Sequence, residues 1–257
     1  MDFTAPISRK VYTGRQADRQ WLDWCTATIA PTGKRVVDIG CGGGIFSAGF
    51  MALGAHSVTG IDQSRQYIDD ARKEYNNQIE LKFLIADATH TTLTSNCADI
   101  MFERALIHHL SNKEQQDNAL EAYRLLDNGG LLVVQDRTID DVLDKNPDTW
   151  IRATLIEAFP RLIEFEKQRR SSRESYTQIL QQAGFSKVKT QTLMEVRKHY
   201  ASFTDLKQEI LSRKGKSILF ELDDQELQHY CALLEEKSKS SRLIECDSWT
   251  VWMATKT

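Results

Sequence analysis

The stretch Arg35-Val-Val-Asp-Ile-Gly-Cys-Gly-Gly-Gly44 decides how the rest of the chain is read. Its first half is a short β-rich run. It breaks into glycines, which let a backbone turn sharply and let a ligand approach where a Cβ would otherwise stand. Residues 45–53 then have a helical pattern, closed by Gly54. A helix N-terminus behind a glycine turn favours an anionic ligand group, because its unpaired amides and its dipole point outward. Alone, the same arrangement also describes a glycine-rich turn that binds nothing.

On either side of this stretch the pattern repeats. Residues 15–30 read as a leading amphipathic helix carrying Trp21, Leu22, Trp24, Cys25 and Ile29. Downstream, strands are expected at 57–61, 80–85, 99–102 and 131–135, with helices at 66–75 and 113–126 between them. Several of these strands are apolar almost throughout, as in a parallel sheet covered on both faces. Beyond residue 136 the alternation loosens into helical stretches, broken by strands at 186–192 and 249–254. The expected fold is therefore α/β: a doubly wound, mostly parallel, seven-stranded Rossmann-like sheet in one domain over 1–257. Its core would occupy about 15–136, 173–196 and 246–257, and helical cap insertions about 137–172 and 197–245. Ligands in such folds sit beyond the carboxyl ends of the strands, where strand order reverses.

Three acids sharpen the glycine loop. Asp62 ends the second strand about 20 residues past the loop, a spacing that suits a carboxylate gripping a ribose diol. Asp87 follows the third strand and can accept a hydrogen bond from an adenine amino group. Asp38 stands two residues before the first glycine, an unusual place for an acid in a fold that packs this strand end against a pyrophosphate. A cofactor with a cationic amino acid moiety would welcome it. Each acid alone is as readily a turn or N-cap residue. A nicotinamide-dependent oxidoreductase is weakened by Asp38 and by Ile45, where G-x-G-x-x-G asks for glycine.

Composition narrows the function classes. The chain has 257 residues, a net charge of −3, 41% hydrophobic and 27% charged residues, which are the proportions of a folded domain with no basic excess for nucleic acid. No stretch approaches the ~20 apolar residues of a membrane span, and the N-terminus lacks a signal-peptide core. Five cysteines without a C-x-x-C pair fit reduced thiols, so a cytoplasmic location, no metal and no nucleic-acid partner are expected.

Taken together, residues 37–44, 60–62, 86–88, 99–110 and 125–131 resemble the ordered motifs of class I S-adenosylmethionine-dependent methyltransferases, of the ubiquinone/menaquinone-biosynthesis type. The resemblance covers roughly 30–136. It implies S-adenosyl-L-methionine as cofactor, S-adenosyl-L-homocysteine as its product, and methyl transfer to a small-molecule acceptor by in-line displacement. It places Gly40, Cys41, Gly42 and Gly44 in the loop beside the methionine part, supported by Asp38. Asp62 would take the ribose hydroxyls, Gln63 would lie along the adenosine, and Asp87 and Ala88 would flank the adenine. Glu103 would offer its backbone to the amino group. Asn128 departs from the usual proline, and Glu103-Arg104 from the usual small residues. A non-catalytic cofactor binder, serving as a sensor or partner protein, would keep the same motifs.

Acceptor-side candidates lie where strands four and five end. His108 or His109 can serve as a base, since histidine titrates near neutrality, or can cap the following helix. Arg104 and Arg137 can clamp an anionic acceptor, or can bridge to Glu103 or Asp136. Tyr12 and Arg15 are expected to fold over the cofactor. Residues 168–173 read as a solvated helix start, and most aromatics beyond residue 150 as core.

Overall fold

The computed structural model describes residues 17–213 and 216–257; Tyr12 and Arg15 lie outside them. The elements, in chain order, are α1 (Arg19–Thr28), β1 (Arg35–Ile39), α2 (Ile45–Ala52), β2 (Ser57–Asp62), α3 (Arg65–Glu74), β3 (Leu81–Ile85), β4 (Ala98–Arg104), α4 (Asn112–Leu125) and β5 (Leu126–Asp136). Then come α5 (Ile139–Val142), α6 (Trp150–Ala158), α7 (Arg161–Arg169), α8 (Arg173–Gln182), β6 (Lys187–His199), α9 (Phe203–Leu211), α10 (Asp224–Ser238) and β7 (Ile244–Thr255).

The seven strands form one sheet in the order β3-β2-β1-β4-β5-β7-β6. The first five run parallel, and β7 is antiparallel to both neighbours. The chain winds outward from β1 to β3, then returns to β4 on the other side. The reversal between β1 and β4 is the place where such sheets leave a crevice.

Alternating strand residues face opposite sides of the sheet, and each side carries its own core. Val37, Met101, Leu132, Val134 and Trp252 pack on one side with Tyr176 and Leu180 of α8. Val36, Phe102, Val133 and Val251 pack on the other with Trp21 of α1 and Phe50 of α2. Trp21 meets the edges of Phe46, Phe50 and Phe102, at centroid separations of 4.8, 5.4 and 5.6 Å. Each such pair adds about 0.5–1.5 kcal/mol to area burial, so α1 is held as part of the core layer. A third core joins the two helical segments that interrupt the closing half of the sheet. It contains Val142, Ile151, Leu155 and Leu162 from the first, and Leu206, Ile210, Leu227 and Tyr230 from the second.

The closing hairpin is longer than the sequence pattern implies. β6 and β7 stay paired out to His199↔Ile244, so the second helical segment spans 200–243 and not 197–245. Apolar alternation fails over this extension because Glu195, Asp247 and Ser248 point inward, where polar partners meet them. β5 likewise begins at Leu126, ahead of the paired glycines, with a register shift against β4 between Ala98 and Ile100.

Candidate functional site

Four strand ends converge at the reversal. Ile39 pairs with both Ile61 and Glu103, and Asp62 pairs with Ile85, so the ends of β3, β2, β1 and β4 lie side by side. The glycine loop crosses over them. Gly40 and Cys41 donate their amides to the Ile61 carbonyl at 2.8 and 3.0 Å. Gly44 has φ +80°, and a Cβ on it would stand 2.6 Å from the Phe83 ring, so only glycine lets the helix start this close to β3. Gly42 has φ +52°, and no described atom lies within 4 Å of where its Cβ would be. The loop is packed from below and open at Gly42.

Asp62 is built into this loop. Its carboxylate accepts from Gly42 N–H at 3.0 Å and from Ser64 N–H at 2.8 Å, and Ser64 in turn caps α3. Asp38 is buried and accepts from the Ser47 hydroxyl of α2 at 2.5 Å. It ties β1 to α2 across the loop. Burial, with a push from Asp62 and against the Ser47 hydrogen bond, raises its pKa to about 7. Burial raises Asp62 as well, against its two amide bonds. Glu103 is fully buried and accepts from Asn118 at 3.1 Å; burial, reinforced by Asp136 and Asp38, raises its pKa to about 8. Glu103 Oε2 and Asn118 Oδ1 are buried without a hydrogen-bond partner among the described residues. Asp87 is exposed beyond β3 and holds the Thr89 amide and hydroxyl at 2.7 and 2.6 Å. Ala88 offers its carbonyl to Asn118, and Gln63 is exposed beside Asp62. The expected cofactor residues are thus brought to one place. Glu103, expected to offer its backbone to the cofactor, also places its side chain in the buried acid cluster.

The acceptor-side candidates separate. Arg104 makes a two-pronged bridge to Glu195, both contacts 2.8 Å, and lies 4.5 Å over the Phe46 ring and 4.2 Å over the Trp249 ring. Arg137 bridges to Asp247 at 2.9 Å and covers Trp249 at 4.4 Å, while Arg152 donates to the same carboxylate at 2.8 Å. Both candidate clamps are therefore committed to carboxylates, and the partners are Glu195 and Asp247 on the closing hairpin, not Glu103 or Asp136. Trp249 is core between two guanidiniums.

The two histidines also differ. His108 Nδ1 lies 2.9 and 3.0 Å from the two oxygens of Asp136, and the His108 amide reaches the same carboxylate at 3.3 Å. Asp136 further accepts from the Arg137 amide at 2.7 Å and from the Arg170 guanidinium at 3.4 Å. Although burial opposes ionisation, His108 and Arg170 hold Asp136 well below the usual carboxylate range. An ionised carboxylate can only accept, so Nδ1 of neutral His108 carries the proton and Nε2 keeps its lone pair. Burial also lowers the His108 pKa, against the pull of Asp136. His109 is exposed, with its ring 4.0 Å from that of His108.

Sequence reasoning missed Arg170. Residues 168–173 were expected to be solvated, yet Arg170 is 8% exposed and pairs with Glu166, as does Arg169. The three- and four-residue spacings of Glu166, Arg169 and Arg170 were the available signal.

Residues 37–134 match the sequence model of a methyltransferase domain. A ubiquinone biosynthesis O-methyltransferase of Aeromonas salmonicida is 31% identical over 133 residues, 51% of this chain and 52% of that protein. A tRNA U34 carboxymethyltransferase of Marinobacter nauticus is 27% identical over 50% of this chain and 41% of its own length. The chain spans from about a fifth to about half the length of the first curated relatives it matches. Among solved structures, a protein from Anabaena variabilis described as a methyltransferase of an antibiotic biosynthesis pathway superposes with a TM-score of 0.71. It is 17% identical, and the match covers 96% of this chain and 99% of that one. The chain therefore matches a methyltransferase domain over residues 37–134 and shares, along nearly its whole length, the fold of that solved protein.

Proposed function

We propose that the chain is an S-adenosylmethionine-dependent methyltransferase that acts on a hydroxyl of a small molecule, with His108 as the base. The carrying observation is the convergence of an open glycine loop with Asp38, Asp62 and Glu103 at adjacent strand ends. These acids have raised proton affinities, and the Glu103 Oε2 atom lacks a partner among the described residues. A ligand with positive charge relieves both, which suits a sulfonium bearing an ammonium group. Asp62 would take the ribose diol, the Gly40–Gly44 backbone would follow the amino acid part, and Asp87 and Ala88 would border the adenine. Asp38 acts through Ser47 by holding the loop's shape.

The cofactor, when bound, supplies an already activated methyl group. What remains for this chain is to orient the acceptor and take its proton. Orientation alone supplies about 7–11 kcal/mol in well-aligned reactions. A positioned base contributes typically ~10²–10⁴-fold where a hydroxyl must be deprotonated. His108 fits that second role, since Asp136 holds its Nδ1 side and leaves Nε2 unprotonated. Arg104 and Arg137 shape this side of the site through their bridges, and an anionic group on the acceptor is not required by them.

The test is a transfer assay with methyl-labelled S-adenosylmethionine over phenols, catechols, amines, carboxylates and tRNA. Label on a phenolic or catecholic hydroxyl, lost in His108→Gln, supports the reading. Transfer only to tRNA, or undiminished transfer by His108→Gln, overturns it.

A further inference from the structure

We infer that Arg170, at the end of the first helical segment, is a positioning residue that holds Asp136 and the His108 turn in register, so that the base is assembled only when that segment is docked. The inference rests on the reading of His108 as the base. Arg170 Nη1 donates to the Arg137 carbonyl at 2.9 Å and approaches Asp136 at 3.4 Å, while its Nε donates to Glu166. The side chains of Arg170, Asp136 and Glu166 are 3%, 1% and 0% exposed, so this is a desolvated array in which each charge depends on its partners.

The next residue grips the same turn from the other side. Ser171 donates its hydroxyl to Gln115 Oε1 at 2.7 Å, and Gln115 Nε2 donates to the carbonyls of Ile107 and Leu110, both at 3.1 Å. Those two carbonyls flank His108 and His109. Residues 170 and 171 therefore fix both the carboxylate that orients His108 and the backbone that carries it.

Charge gives the arrangement its chemical point. The groups facing His108 are Asp136 from β5, Arg169 and Arg170 from the end of α7, and the adjacent His109. A buried carboxylate alone draws a proton onto a histidine and turns it into an imidazolium, which is no base. Arg170 offsets that pull while keeping Asp136 ionised. Burial does most to lower the His108 pKa, and Arg170 adds to it against Asp136, so the imidazole is oriented and stays neutral at physiological pH.

The experiment follows the imidazole resonances of the full chain by ¹⁵N-edited NMR across pH 4–9, with His108 assigned by its loss in His108→Gln. In Arg170→Gln the His108 midpoint is expected to rise by about 1–2 units, the size that a nearby charge produces. Arg170→Lys, which keeps the charge without the planar fork, is expected to restore most of the wild-type midpoint. If Arg170→Gln does not fold because Glu166 keeps a buried charge, Glu166→Gln/Arg170→Gln removes the pair together, and a smaller rise is expected, because Glu166 leaves with it and Arg169 loses its partner. Binding of S-adenosylhomocysteine at wild-type affinity certifies the fold, since Arg170 lies outside the cofactor loop. An unmoved or lowered midpoint in a folded variant overturns the inference. That result is independent of the base reading, which fails instead if His108→Gln leaves methyl transfer intact.

Discussion

Substituting Gly42 or Gly44 of the loop by alanine separates folding from binding, because the structure gives the two methyl groups different surroundings. Both sit at positive φ, where a Cβ costs about 1–2 kcal/mol. In Gly44→Ala the new methyl stands 2.6 and 2.7 Å from two carbons of the Phe83 ring, and Phe83 is only 5% exposed. The ring must shift within a packed core, which costs about 1–3 kcal/mol more. Gly44→Ala should therefore lose about 2–5 kcal/mol, the sum of the two ranges. Gly42→Ala adds a methyl to open space and should lose only the backbone part, about 1–2 kcal/mol. That same methyl occupies the approach to the loop, so the clash moves to the ligand. A penalty of about 1–3 kcal/mol there is a loss of affinity of roughly 5- to 150-fold. Urea denaturation gives the stabilities, and isothermal titration with S-adenosylhomocysteine gives the affinities. Wild-type affinity in Gly42→Ala refutes the placement of the cofactor over this loop.

Other substitutions test the network around the site. Asp247→Asn leaves Arg137 and Arg152 buried without their shared carboxylate and should cost about 3–5 kcal/mol by chemical denaturation, with part recovered in Arg152→Met/Asp247→Asn. Asp136→Asn should cost less, about 2–3 kcal/mol, because Arg170 keeps Glu166 and the Arg137 carbonyl. Its methyl transfer to a hydroxyl acceptor should fall ~10²-fold or more, since an amide can turn its N–H toward Nδ1 and reverse the tautomer. The raised acids predict a pH dependence. Asp38 and Glu103 bind protons more tightly in the folded chain than in the unfolded one, so their contribution to stability is present below pH ~4 and is lost as pH rises through about 7 and about 8. A cationic cofactor favours their ionised forms, so its affinity should rise between pH 6 and 8.5 with net proton release. Titration in two buffers of different ionisation enthalpy measures that release.

How far the sequence could be read depended on where partners lie. The central parallel strands were legible because both of their faces are buried, which leaves nearly unbroken apolar runs such as Ile100-Met101-Phe102 and Leu132-Val133-Val134. The loop acids were legible because each lies at or just past the end of its strand, and parallel order sets those strand ends side by side. The far half of the closing hairpin was not legible. Glu195 and Asp247 sit in strands but neutralise Arg104, Arg137 and Arg152, whose positions give no hint of the pairing across 91, 110 and 95 residues. Arg170 was obscured for a related reason. Three arginines within five residues, 169–173, read as solvated surface until Glu166 and Asp136 are seen to meet Arg170 in the interior.

In the proposed cofactor site the glycine loop and Asp62 act together. Isothermal titration of the full chain with S-adenosylhomocysteine, compared with Asp62→Ala, tests it most directly. Saturable binding at one site is expected, weakened about 10- to 150-fold in the variant, the worth of a charge-assisted hydrogen bond of about 1.5–3 kcal/mol. No binding by the wild-type chain, or equal affinity in a folded Asp62→Ala protein, would contradict it.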